Sequence, residues 1–535
     1  MKSKYIKRPL LPVMLACSVV MIISSCKKDF GDLNKPWDNK TYVAKIPELY
    51  NNIASGMTEN GRGLFSSFLY QATQLAANYS ASGYRLDNSV GGIWENYYFA
   101  LADYRKTLDL IDADTAAAKM TNIKAMLTTL MAFKTLRNTT LYGNMPYSEA
   151  GKSFYGAEYY RPVYDDQSGI FTAALEDLKW SVDNFTTASD QVSMGPGETL
   201  FKNDIPTWIK FANSLRLRYA LVMREKNSAA ADAIIAEALT KPLLGPDDFL
   251  GTTNVAGLLI DRAGAFRGNA YVRMGSTIWE AMSSSNAEDG SGIFDLRTKI
   301  FFEPNSDGKW KPYPQNPPNG TLAETTNGTV NGKNNDPYAD VRLTTWDPTG
   351  DYYYSPLNIY YVGDKTFPDL FITGAEVSFL KAEIYNRGIG GVTANPAMAE
   401  QFYEEGITSS VKFWFMLANG SSVWTVNRPA AEPTVSELNA MLSNPAVAYS
   451  ATPADALKQI YKQSWIALFH QPFDAWTLQR RTGYATPNVP LASTSESLNM
   501  NRLVYPTGEI SSNYDNWKTA TGGTDDKAVK PWFMP

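Results

Sequence analysis

Trp208-Ile209-Lys210-Phe211-Ala212-Asn213-Ser214-Leu215-Arg216-Leu217-Arg218-Tyr219-Ala220-Leu221-Val222 is the stretch from which the fold follows. Trp208, Phe211, Ala212, Leu215, Tyr219 and Val222 recur at the three-and-four spacing that puts them on one face of an α-helix. Two upstream segments repeat the pattern. Met120, Ile123, Leu127, Leu130 and Met131 share a face, as do Ile170, Phe171, Ala174, Leu175, Leu178 and Val182. Successive amphipathic helices cannot each bury a stripe alone, so they must pair. Hairpins stacked as in tetratricopeptide arrays are one solution, although the spacing is too irregular for a strict 34-residue period. The region from about 45 to 240 therefore reads as helical.

Downstream the character changes. Pro, Gly, Asn and Asp crowd residues from about 242 to 370, and Glu303 to Val341 has almost no periodicity. Loops of that length inside an ordered protein are functional or mobile. Helices resume at Thr373, where Thr373 and Glu376 form a capping-box pattern ahead of Val377, Leu380 and Ile384, with Gly388 as the stop. Another opens at Thr452 with Pro453 in its first turn and carries Leu457, Ile460, Tyr461, Leu468 and Phe469. The turn-rich tail after about 483 wraps the helical body. The expectation is a mostly α fold of tetratricopeptide-like hairpins with a large irregular insertion, in one domain over 45–535.

The N-terminus is an export and anchoring signal. Lys2, Lys4, Lys7 and Arg8 precede an apolar run from Leu10 to Ile23, and then come Ser24-Ser25-Cys26. A basic start, a short apolar core and small residues mark a secretory signal. The run is too short to cross a hydrocarbon core, which needs about 20 apolar residues. Cysteine after apolar-Ser-Ser resembles the bacterial lipoprotein processing box, which implies cleavage before Cys26 and acylation of its thiol and new amino group. Residues 1–25 are then the signal peptide and 26–44 a polar, lipidated tether. The only other cysteine, Cys17, leaves with the signal, so the mature chain has no internal disulfide. Its stability must come from burying a core, which about 510 residues can supply.

Charge and residue counts exclude several classes of chemistry. The chain carries −5, which becomes −9 once four basic residues leave with the signal. A net negative surface argues against nucleic acid, whose phosphates demand clustered Lys and Arg. One histidine, His470, rules out paired-histidine zinc sites; a Ser/His/acid or Cys/His device could use only this residue, no Gly-x-Ser-x-Gly elbow accompanies it, and it reads as a core or cap residue. Asp289-Gly290-Ser291-Gly292 and Asn305-Ser306-Asp307-Gly308 carry only part of a calcium-loop pattern and read as turns. No metal, cofactor or catalytic set emerges, and carboxylate pairs for glycoside hydrolysis are not singled out by any spacing.

What remains is recognition. With 31 Tyr, 24 Phe and 13 Trp the chain is rich in rings. Tyr79, Tyr84, Arg85, Asp87 and Asn88 fall in one polar segment between helices, with Trp94 opening the next. Trp310 and Tyr313, in the irregular loop, offer a second wall. Planar rings beside donors and acceptors suit sugars, whose apolar C–H faces alternate with hydroxyls.

Several segments resemble the SusD/RagB family of outer-membrane lipoproteins. They include Ile93-Trp94-Glu95-Asn96-Tyr97-Tyr98, Leu141-Tyr142-Gly143-Asn144-Met145-Pro146-Tyr147, Trp208 to Arg218, and Phe371-Ile372-Thr373-Gly374-Ala375-Glu376-Val377. Trp465-Ile466-Ala467-Leu468-Phe469, Ala475-Trp476 with Arg480-Arg481-Thr482-Gly483-Tyr484, and Arg502-Leu503-Val504-Tyr505-Pro506 continue the match. The resemblance implies a non-catalytic, surface-exposed lipoprotein of the outer membrane that captures a nutrient for a TonB-dependent, SusC-like barrel. The ligand it implies is an oligosaccharide, with peptide as the alternative. A lipid-anchored glycoside hydrolase and a purely structural helical adaptor are the rival readings. The matching segments are structural, buried Trp and Arg groups that fix helix packing, so they carry over no ligand residue.

Overall fold

The computed structural model describes residues 45–58, 69–78, 90–252, 272–305, 307–315, 353–358, 360–361, 364, 367–485 and 500–535. Contacts divide the chain into Met1–Lys45 and Ile46–Pro535, and the fold described is that of the second unit. Cys26 and the tether lie outside the described residues.

The N-terminal half is a run of helices: α1 (Ile46–Ser55), α2 (Val90–Asp112), α3 (Thr121–Tyr142), α4 (Gln167–Asn184), α5 (Ile205–Met223) and α6 (Ser228–Ala238). Each packs on the next in sequence, α2 on α3, α3 on α4, α4 on α5 and α5 on α6. Hairpin stacking of this kind is what the amphipathic stripes require. The expected faces are the buried ones: Ile123, Leu127, Leu130 and Met131 join Phe171, Leu175, Trp208, Phe211 and Leu215 in one core cluster. Asp204 caps α5 by accepting a hydrogen bond from the Thr207 amide, and Pro206 follows where its missing N–H costs nothing.

The irregular region is closed at its ends by a short antiparallel ladder. Strand β1 (Phe249–Thr252) pairs with β2 (Asp369–Thr373), so the excursion leaves and returns at one place. Within it lie a short helix, α7 (Ser276–Met282), and a helical turn at Thr298–Phe301. Helices α8 (Gly374–Arg387) and α9 (Pro396–Gly420) follow, then α10 (Val435–Leu442), α11 (Pro453–Ala467) and α12 (Pro472–Thr482).

Three details differ from the sequence reading. At the start of α8 the Thr373 hydroxyl accepts from the Glu376 amide at 3.2 Å, as expected. The reciprocal half of that box is not made, because the Glu376 carboxylate instead pairs with Arg218. The stop at Gly388 is met, in a left-handed conformation (φ 62°) that glycine adopts without strain. Second, α9 has 25 residues yet was not expected. Its buried face mixes Tyr403, Ile407, Val411 and Trp414, at helical spacing, with the small residues Ala399, Gly406, Ser409, Ser410 and Ala418. Third, the helix opened by Pro453 ends at Ala467. A 3-10 turn at Leu468–His470 separates it from α12, so Leu468 and Phe469 lie beyond its last turn.

Candidate functional site

The excursion between β1 and β2 builds the site. Ser283 and Ile293 bridge antiparallel, closing a turn around Asp289 and Gly290. Gly290 sits at φ +77°, and a Cβ there would lie 2.7 Å from the Trp310 indole. The turn therefore seats Trp310 only because this position is glycine. Trp310 donates its amide to Glu288 O at 2.7 Å. Its ring stacks on Trp279, with centroids 6.1 Å apart and planes within 14°. Trp310 is 7% exposed.

Trp310 lines a cavity of about 550 Å³ together with Phe294, Phe302 and Phe415. Small-molecule sites of about 300–1,000 Å³ hold mostly apolar walls with a few placed polar groups. Here the polar groups are Lys299, Asn427 and Glu437. Glu437 is occupied in a capping box with Thr434. Among the described residues Asn427 and Lys299 have no side-chain partner, which leaves an amide and an ammonium for a ligand. Asn427 also holds a left-handed backbone (φ 52°), a conformation asparagine tolerates better than most residues. Behind the cavity the fully buried Arg297 grips Asp295 through Nε (2.9 Å) and Nη2 (2.7 Å). Arg297 Nη1 also donates to Ser410 Oγ of α9 at 3.0 Å, so one guanidinium ties the excursion to that helix.

A second cavity, of about 610 Å³, lies against another face of α9. Phe413 and Met416 line it, whereas Phe415 lines the first. The segment after α9 serves both, with Pro429 and Ala430 on one cavity and Ala431 and Glu432 on the other.

Of the sequence-predicted residues, Tyr79, Tyr84, Arg85, Asp87 and Asn88 lie outside the described residues. Trp310 lines the first cavity. Tyr313 does not: its side chain has no exposed surface and its ring meets Tyr354 edge-on at 4.9 Å. Trp94 is a core residue of α2, 5% exposed, with its indole N–H on Glu509 at 3.2 Å. Phe294, Phe302, Phe415, Lys299 and Asn427 were not anticipated. They come from three separated stretches, Phe294–Phe302, Phe415 and Asn427, with no common spacing, and only the fold brings them together.

The remaining motifs are structural. His470 is buried, with Nδ1 2.5 Å from the Tyr361 hydroxyl. Asn305 Oδ1 accepts from the amides of Asp307 (3.0 Å) and Lys309 (2.9 Å), and Asp289 Oδ1 accepts from that of Ser291 (2.9 Å). Both expected turns are thus Asx turns that use their own side-chain oxygens. Among the described residues no group of three or more acidic, His or Cys side chains is placed to hold a metal. No described helix is long and apolar enough to cross a membrane.

A mostly helical protein of tetratricopeptide-like hairpins, with aromatic-lined cavities beside a loop-rich excursion, is the class that fold and site define. Residues 38–506 match the family model described as "Starch-binding associating with outer membrane", SusD-like, and the chain belongs to that family. Its fold is shared by a Bacteroidetes SusD-like protein (22% identity, TM-score 0.69, 92% of this chain and 100% of the other). A chitin-binding protein is similar at 22% identity and TM-score 0.68, again over 92% and 100%. So is a chitin-binding SusD homologue from Flavobacterium johnsoniae, at 19% and 0.62 over 91% and 97%. No curated protein sequence matches the chain.

Proposed function

We propose that this chain is a non-catalytic, lipid-anchored protein of the outer membrane that binds an oligosaccharide and hands it to a SusC-like, TonB-dependent barrel. The observation that carries the reading is the Trp310 cavity. Its apolar walls suit the C–H faces of sugar rings, and the unpartnered Asn427 amide and Lys299 ammonium suit hydroxyls. Family membership and the chitin-binding titles of two structural relatives support a saccharide over other small ligands. Cys26, acylated and at the end of a polar tether, is the anchor. A glycan array probed with the chain tests the ligand class, and affinity purification from detergent-solubilised outer membranes tests the partner. The reading expects array signal confined to one glycan type and a co-purifying β-barrel. An array with no glycan signal contradicts it.

A further inference from the structure

Arg137 of α3 is a buried cation that its protein neighbours satisfy poorly. Its side chain is 8% exposed, and its guanidinium lies over two phenyl rings, 4.5 Å from the Phe133 centroid and 5.6 Å from that of Phe473. Its polar contacts are long: Nη1 donates to Met57 O at 3.5 Å, and Nη2 is 3.6 Å from Asp474 Oδ2. Charge-assisted hydrogen bonds of this kind close to about 2.7–2.9 Å. Arg137 Nε is buried and meets no hydrogen-bond partner among the described residues. Gln471, itself buried, repeats the situation, with its Oε1 unpartnered. The two side chains converge on one atom, since Asp474 Oδ2 also lies 3.4 Å from Gln471 Nε2. Together they line a cavity of about 40 Å³ between α3, β2 and the start of α12.

Those two atoms define the occupant. Exchanging oxygen and nitrogen in the Gln471 amide does not pair it, because Nε2 faces two acceptors, Phe371 O at 3.3 Å and Asp474 Oδ2 at 3.4 Å. The occupant must therefore accept a hydrogen bond from Arg137 Nε and donate one to Gln471 Oε1. An anion cannot donate and is repelled by Asp474; a metal cation cannot accept and is repelled by Arg137. An apolar molecule would leave both atoms unpaired. Water does both, and about 10–15 Å³ suffices for one molecule. We infer that this cavity holds an ordered water that bridges Arg137 Nε to Gln471 Oε1. Phe371 O, which accepts from Gln471, also accepts from Arg218 Nη2 at 2.8 Å. The water thus ties α3 into the joint where β2 and α12 meet the N-terminal hairpins. The site shares no lining residue with the Trp310 cavity and is independent of what that cavity binds.

The test is crystallographic, on the full detergent-solubilised chain soaked in sodium bromide and at a resolution that shows ordered waters. The map should hold a rounded peak about 2.7–3.2 Å from both Arg137 Nε and Gln471 Oε1, without anomalous signal from bromide. Gln471→Leu, similar in size, removes the acceptor and should lose that peak. If the variant does not fold, the wild-type map decides alone. An anomalous bromide peak would make this an anion site. A direct contact between Nε and Oε1, or featureless density between them, would leave the water no place. Any of these results overturns the inference, as does a peak of full strength in Gln471→Leu.

Discussion

Arg218 of α5 and Glu376 of α8, 158 positions apart, meet as a buried bidentate pair, Nε to Oε1 at 2.5 Å and Nη2 to Oε2 at 2.6 Å. Each side chain is 5% exposed. Arg218 Nη2 also donates to Phe371 O at 2.8 Å, and Asp474 of α12 lies 3.3 Å from Nη1. Burial alone would drive the guanidinium toward neutrality, but Asp474 and Glu376 outweigh it and hold Arg218 charged. The pair joins the N-terminal hairpins to the C-terminal helices. Glu376→Gln leaves a buried guanidinium undercompensated and should cost about 3–5 kcal/mol in urea unfolding. A change within about 1 kcal/mol would show that the pair does not bear on stability.

Gly406 tests the packing of α9 on α8. A Cβ there would fall 2.8–2.9 Å from three atoms of the Phe379 ring. In an exposed helix Gly→Ala stabilises by about 1 kcal/mol. At this contact the overlap should win, and Gly406→Ala should destabilise by about 1–3 kcal/mol. Thermal melting decides the sign, and a raised Tm would mean that α9 does not approach Phe379 this closely.

Asp177 of α4 gives a pH signature. Burial pushes its carboxyl up to about 6, against the opposing effects of the Tyr147 hydroxyl and Arg105. Because its folded value is raised, the folded state holds this proton more tightly than the unfolded chain. Its contribution is fully present at acidic pH, below the unfolded value near 4, and is lost as pH rises through about 6. Asp177→Asn, which keeps an acceptor for Tyr147, should raise Tm at pH 7 by about 1–2 °C and leave it unchanged at pH 4. Equal effects at both pH values would refute the assignment.

Cys26→Ala should leave the thermal melt unchanged and release the protein from the membrane fraction, since stable anchoring takes two or more acyl chains. Retention of the variant after high-salt and carbonate washes would assign the anchoring to something other than Cys26.

The helical body was legible because its hydrophobic stripes are long and strongly periodic: the faces read from Met120 to Met131 and from Trp208 to Val222 lie in the core. Helix α9 was missed although Tyr403, Ile407, Val411 and Trp414 form an apolar stripe at helical spacing, because small residues interleave with that stripe on the same buried face. The capping box at Thr373 was read half correctly, because a sequence pattern does not show that Arg218 competes for Glu376. Trp310 was found as a ring in an irregular loop. Tyr313, three positions on, has the same sequence context, yet its amide is held by Met274 O at 2.8 Å and its side chain is buried. Asn427, Lys299 and Phe415 were not legible at all, since they become neighbours only after long-range packing.

The proposed saccharide binding, without conversion, rests on the Trp310 cavity. Titration of the wild-type chain and of Asn427→Ala and Phe415→Ala with chitohexaose, each mixture then analysed for shortened products, tests it most directly. Saturable wild-type binding is expected, with an affinity loss of about tenfold in each variant from one polar contact or one aromatic wall, and an intact ligand. Unchanged affinity in both variants, or release of shorter oligosaccharides by the wild type, would contradict it.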